Sequence, residues 1–291
     1  MRQAFRFVLA ATALWVALPA AAVSYLWQVS SLTNQVYLFG TVHAGMAAWY
    51  PLPRAVEEAY DDSPVLVVEA DVTDKAAMEK SARAVIYTPP ANLTTHVPAA
   101  DYARYRRLLA RYGVAEEQAV QMKPFMASTI LVFGEWGRLG YAPNYGVDLY
   151  LLTRAKKENK KIMELEGIDA QIALMDTLTD AQNLAVFHST LDAIDSGLTG
   201  DQIKGMVAAW QEGDPDALLE VARKYDEKIP VAGEIEEKFI WSRHDAMLAK
   251  IEGYLDRGSQ KHFIAVGALH LAGPRGLIAR LRAAGYLVKQ L

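Results

Sequence analysis

The sequence predicts an α/β fold: a central mixed, mostly parallel sheet with strands from both chain ends and a large helical insertion. Three observations predict it. The run Val65-Leu66-Val67-Val68 is continuous and β-branched, the pattern of a strand covered on both faces. An apolar run that breaks into Gly-x-x-His occurs near each end, as Gly40-Thr41-Val42-His43 and Gly267-Ala268-Leu269-His270, each reading as a buried strand that delivers one imidazole. Between them, from Asp74 to about Gln211, the apolar spacing is mostly helical.

The elements follow in order. Arg2 and Arg6 flank the start of an apolar stretch that runs to Leu18, and Pro19 with Ala20-Ala21-Ala22 follows. That is the pattern of a secretory signal peptide cleaved after Ala22, and the stretch is shorter than the ~20 apolar residues a bilayer-spanning helix needs. Residues 1–22 are therefore expected to leave a mature domain of 23–291, periplasmic or secreted, with no stable membrane anchor. Strands at 25–31 and 35–42 form a hairpin around Leu32-Thr33-Asn34. A short helix follows Pro53, and the strand opened by Pro64 ends in Glu69 and Asp71. Helices are predicted over 75–84, 99–112, 124–139 and 147–158, then a short strand at 161–166 that ends in an acid and precedes Gly167. Further helices cover 181–195, 200–212 and 215–226, and one long helix covers 234–255. A strand at 263–270, a helix at 273–284 and a last strand at 286–291 close a single interrupted core.

Composition narrows the function. The chain of 291 residues is 52% apolar and 22% charged, enough to build a sizeable core. Its net charge is −4, and removing Arg2 and Arg6 with the leader makes it more negative, which argues against a nucleic-acid partner. With no cysteine there are no disulfides, thiolate ligands or cysteine nucleophile, so any metal must be held by imidazole and carboxylate. Phosphate-binding, dinucleotide-binding, serine-elbow and His-Glu-x-x-His motifs are absent from the sequence.

The candidate chemistry sits at strand ends. In a mostly parallel sheet ligands bind outside the carboxyl ends of the strands, and His43, Glu69, Glu166 and His270 all fall there. Two imidazoles with one or two carboxylates match a zinc or manganese shell that keeps a position open for water. A lone histidine after a strand is more often a hydrogen-bonded surface residue, but the doubled motif argues for one shared site. Glu164 alternates with Glu166 and is expected to face the same side. Arg243 reads as a partner for a substrate carboxylate or oxyanion, or as an ordinary surface arginine. His188 reads as a helix-packing residue, His96 and His262 as loop or strand-edge positions, and Asp148 as a first-turn helix acid unless it points into the crevice.

These motifs resemble the TraB/GumN family, whose superfamily includes the Tiki metalloproteases. The resemblance runs through Tyr37 to His43, Val67-Val68-Glu69, Leu165-Glu166 with Gln171, and Ala265 to Leu271 with Gly273 and Gly276-Leu277. It implies that His43, Glu69 and His270 help form a divalent-metal centre that hydrolyses peptide bonds; with the strand-end reading of the residues, the expected site then has manganese, cobalt or zinc, Glu166 as fourth ligand or general base, and Arg243 on the oxyanion. A peptide or protein is the implied substrate. The rival readings are a non-catalytic peptide-, haem- or metal-binding protein and an accessory factor in exopolysaccharide production. One departure stands out: where the resemblance leads one to expect Arg-Asn, this chain has Arg243-His244.

Overall fold

A computed structural model describes residues 24–224, 231–257 and 259–291; the predicted signal peptide lies outside them. The strands are β1 (Leu26–Ser30), β2 (Gln35–Thr41), β3 (Val65–Val68), β4 (Lys161–Glu164), β5 (His262–Gly267) and β6 (Leu287–Gln290). They form one sheet in the order β4-β3-β5-β2-β1-β6. The four strands β4, β3, β5 and β2 are mutually parallel, and β1 runs antiparallel between β2 and β6. Strands from the two ends of the chain therefore interleave, as the two apolar runs predict.

Burial explains the order. The central β3 and β5 are covered on both faces, and their continuous apolar runs satisfy both. The edge strands β4 and β6 are partly exposed, and their mixed sequences suit an edge. The β1–β2 hairpin is closed at Ser31 and Asn34, where Ser31 Oγ accepts from the Asn34 N–H at 3.1 Å.

Before β4 come α1 (Arg54–Asp61), α2 (Lys75–Ala84), α3 (Ala99–Tyr112), α4 (Glu116–Ala119), α5 (Pro124–Arg138) and α6 (Val147–Lys157). After it come α7 (Ile168–Asp176), α8 (Asp180–Asp195), α9 (Leu198–Gln211), α10 (Pro215–Arg223), α11 (Ala232–Phe239), α12 (His244–Arg257) and α13 (Leu277–Ala283). The apolar core around the sheet joins Phe39, Tyr60, Leu66, Phe263 and Trp210 with α6 and α12. A second cluster, including Tyr105, Leu131 and Phe187, is built from the insertion's own helices. The core is thus not one interrupted unit, because α3, α5 and α8 bury their apolar faces against each other.

Three expectations change. The long helix predicted over 234–255 is broken: α11 stops at Phe239, and a 3₁₀ turn over Trp241–Arg243 separates it from α12. The strand at 263–270 ends at Gly267, and His270 sits on a 3₁₀ turn over Ala268–Leu271. The final helix starts at Leu277, not at 273, because the chain takes a left-handed turn at Gly273, with φ +68°.

The insertion is tied to the sheet beside the first Gly-x-x-His turn. Trp210 of α9 donates from Nε1 to the Gly40 carbonyl at 2.7 Å, and both groups are buried. Gly40 itself has no room for a side chain: an added Cβ would lie 2.3 Å from the buried ring of Tyr25, whose hydroxyl is held by the Ala268 carbonyl at 3.2 Å. Gly40→Ala should cost about 1–3 kcal/mol through overpacking. Gly137 in α5 is exposed, with nothing within 4 Å, so Gly137→Ala should be neutral or gain up to about 1 kcal/mol of helix propensity. Urea unfolding of the two variants checks both; equal midpoints would remove the steric account of Gly40.

Candidate active site

Across the sheet the parallel strands end in the order Glu166, Glu69, His270, His43, following β4, β3, β5 and β2. Neighbouring strands lie about 4.8 Å apart, so Glu69 and His270 are adjacent, while Glu166 and His43 start from opposite ends of a row about 14 Å wide. The register of β2 on β5 sets Thr41 opposite Gly267 and Gly40 opposite Val266. The two Gly-x-x-His turns therefore run side by side, one residue out of step.

Arg243 closes the row. The break after α11 places it on the 3₁₀ turn, and its guanidinium bridges three strand ends. Nε donates to Glu166 Oε1 at 3.0 Å, Nη2 contacts both Glu69 and Glu166, and Nη1 donates to the Phe239 carbonyl at 2.8 Å and to His270 Nε2 at 3.0 Å. The side chains of Arg243, Glu69 and Glu166 are only 13, 14 and 10% exposed, so the three charges are held largely out of water.

Glu69 also accepts from the Gly267 N–H at 2.6 Å and from Gln171 Nε2 at 3.4 Å. A Cβ on Gly267 would stand 3.3 Å from Glu69 Oε1, so the glycine lets the carboxylate reach the backbone. Burial by itself would raise the Glu69 carboxyl, but the Arg243 cation and the Gly267 N–H outweigh it and hold the carboxyl below the usual carboxylate range. His270 is buried, and desolvation drives its imidazole down to about 3, with Glu69 opposing and Arg243 assisting the fall. At neutral pH it is an uncharged ring beside a carboxylate, with His270 Nε2 and Glu69 Oε1 3.6 Å apart. Its other nitrogen, Nδ1, lies 2.9 Å from His244 Nε2, and His244 Nδ1 lies 3.0 Å from the Arg275 carbonyl. Burial lowers the His244 imidazole as well.

His43 has different surroundings. Its Nδ1 donates to Asp148 Oδ2 at 2.8 Å, and Thr41 Oγ1 donates to the other oxygen of the same carboxylate. Asp148 lies in the first turn of α6, which is docked by the Val147 N–H on the Val42 carbonyl at 2.9 Å. A Cβ on Gly146 would meet the His43 carbonyl at 2.5 Å, so this approach needs glycine. Asp148 pushes the His43 imidazole up to about 9, aided by Glu69 and opposed by Arg243. Its side chain is 69% exposed.

The structure thus brings Glu69, Glu166, Arg243 and His270 into one hydrogen-bonded cluster and sets His43 on the adjoining loop, within electrostatic reach of Glu69 and Arg243. Among the described residues, no three His, Asp or Glu side chains stand close enough together to hold a metal ion. Glu164 and Glu166 line the same groove, as the alternation expects, but hold different partners. The β4 strand ends at Glu164, whose carboxylate accepts from the Asp71 N–H at 2.6 Å, and the chain then turns as the Glu166 and Gly167 N–H groups both meet the Glu69 carbonyl. His188 is no packing residue; it is half exposed and pairs with Asp101 at 2.9 Å. His262 is a buried member of the central β5, stacked on Tyr254, not a strand-edge position. Sequence reasoning treats Asp148 as a helix acid; the glycine before Val147, at a helix start, is the signal that could have marked a close approach.

The geometry can be set beside known proteins. The chain is 25% identical over 269 residues to the uncharacterized protein YbaP of Escherichia coli K12, covering 89% of this chain and 93% of YbaP. It is 21% identical over 320 residues to the metalloprotease TIKI2 of Danio rerio and 23% identical over 313 residues to TIKI1 of the same fish. Those alignments cover 91% of this chain and only 60% and 63% of the Tiki proteins, so the chain spans about three fifths of their length. No solved structure matches the chain. The TraB/PrgY/gumN family profile matches residues 25–290, through both Gly-x-x-His turns and the whole Glu69–Arg243 cluster, and the chain belongs to that family.

Proposed function

We propose that this protein is an exported metal-dependent hydrolase that cleaves peptide bonds. The observation that carries the reading is the meeting of Glu69, Glu166, Arg243 and His270, from four separate stretches of chain, in one largely buried cluster at the strand ends. The relatives named metalloproteases support it. Export rests on the leader pattern of residues 1–22.

The donor set suits manganese, cobalt or zinc by type, since every ligand offered is imidazole or carboxylate. His43, Glu69 and His270 would hold the ion only by drawing closer together than they now stand; when bound it would polarise a carbonyl and acidify a water. The residues' own tasks follow from their contacts. Asp148 keeps a hydrogen on His43 Nδ1 and so turns Nε2 outward, the usual arrangement behind a metal-ligating histidine. Glu166 would supply a fourth ligand, a carboxylate oxygen, or take up the proton of the attacking water. Arg243 offers a planar cation to a developing oxyanion, for which it must release one of its present acceptors.

Arg243 also limits what can happen at once. His270 Nε2 has a single lone pair, and Arg243 Nη1 donates into it at 3.0 Å, so ligation through that atom requires the guanidinium to withdraw. This contact favours a second reading, a binding protein without turnover in which Arg243 stays permanently paired with both carboxylates. A peptide library separates the two: the hydrolase cuts it, and the binder retains it uncut.

Two outcomes are expected. His43→Ala removes an exposed side chain, so the fold should persist while metal content and peptide cleavage are both lost; unchanged cleavage with full metal content would end the assignment. Arg243→Gln leaves two buried carboxylates without their cation and should cost about 3–5 kcal/mol in metal-free protein. Zinc or manganese should then raise the melting temperature of this variant more than that of the wild type. Equal shifts would mean that the carboxylates do not surround a point suited to a cation.

A further inference from the structure

His244 stands where Arg243 ends its turn and α12 begins, and it is 1% exposed. Its two nitrogens face different partners, the Arg275 carbonyl at 3.0 Å and His270 Nδ1 at 2.9 Å. A carbonyl only accepts, so His244 Nδ1 carries a hydrogen and donates it. A neutral ring with its hydrogen on Nδ1 has a bare Nε2, so His270 must donate from Nδ1 to His244. His270 Nε2 is then bare in turn, and it meets Arg243 Nη1, a group that only donates, at 3.0 Å. The carbonyl at one end and the guanidinium at the other fix every hydrogen between them. Reversing either ring would set hydrogen against hydrogen or lone pair against lone pair inside a buried cluster.

We infer that His244 is a positioning residue: it holds His270 as the Nδ1–H tautomer, with the ring oriented so that the bare Nε2 faces Glu69 and Arg243. The Arg275 carbonyl anchors His244, so the chain of hydrogen bonds ends in backbone and not in another side chain that could rotate. The value of this to a metal centre rests on the proposed function, but the tautomer itself does not. A ring facing Glu69 with its hydrogen on Nε2 could not ligate through that atom; the relay prevents that state.

Solution NMR of metal-free protein with ¹⁵N-labelled histidine tests the inference directly. His270 should show a hydrogen-bearing Nδ1 and a bare Nε2, with a coupling across the hydrogen bond from His270 Nδ1 to His244 Nε2. A hydrogen on His270 Nε2, or no coupling between the two rings, would overturn it. His244→Leu keeps the bulk and removes the acceptor, so the downfield His270 Nδ1–H signal should disappear; His244→Gln, which still offers a carbonyl oxygen, should keep it. Zinc titration of the same proteins should show a loss of affinity of about 10–100-fold for His244→Leu, as for other residues behind a ligand, and a smaller loss for His244→Gln. If the wild type binds no zinc while the NMR pattern stands, the metal reading fails and the positioning role survives. If zinc binds and the coupling is missing, the reverse holds.

Discussion

Two carboxylates cannot share a space largely closed to water without a cation between them, and the arrangement at the strand ends follows from that constraint. The parallel pairing of β3 with β4 brings Glu69 and Glu166 to adjacent strand ends, and Arg243 answers both. Each of its N–H groups has an acceptor: Glu69, Glu166, His270 or the Phe239 carbonyl. That demand explains the broken helix. A continuous helix over 234–255 has no reason to stop at Ile240, yet the 3₁₀ turn there buries Trp241 and delivers the guanidinium to the carboxylates.

The apolar architecture serves the same edge. Central β3 and β5 are buried on both faces, and their pairing runs from Val65 opposite His262 to Val68 opposite Ala265. Fixed register is what places Glu69 beside the Gly267 N–H and His270 within reach of both Glu69 and Arg243. The helical insertion, with its own apolar cluster, is anchored through Trp210 on the Gly40 carbonyl. The loop that carries His43 is therefore gripped from two sides, by Trp210 at Gly40 and by α6 at Val42.

Much of this was legible in the sequence. The hairpin, the buried strands and the helices over Lys75–Ala84 and Ala99–Tyr112 are written in local patterns: a β-branched run, an Asp74 side chain capping Ala77, and a left-handed Gly113 that stops a helix. Glu69, Glu166, Arg243 and His270 were also legible as strand-end or near-motif residues. The break at Ile240 was not, because no glycine or proline lies between Gly233 and Gly253 and the apolar spacing continues through it. Its cause is a tertiary ion pair, which periodicity does not encode. Asp148 escaped for the same reason: its role comes from the docking of α6 on a loop more than a hundred residues earlier.

The doubled Gly-x-x-His phrase does not give two equivalent histidines. One strand step separates their turns, but the first ring is exposed and drawn toward the charged form by Asp148, while the second is buried and kept neutral. The difference has a direct consequence for any cation that the pair would share. At neutral pH His43 must give up a proton to become a ligand, whereas His270 must give up the hydrogen bond from Arg243. In both cases a positive group leaves as a positive ion arrives, so the charge around Glu69 and Glu166 stays nearly balanced. Two buried carboxylates are never left bare, whichever cation stands between them. On the proposed metal-dependent reading, that exchange would let a cluster that folds around a guanidinium offer its carboxylates and imidazoles to a cation instead.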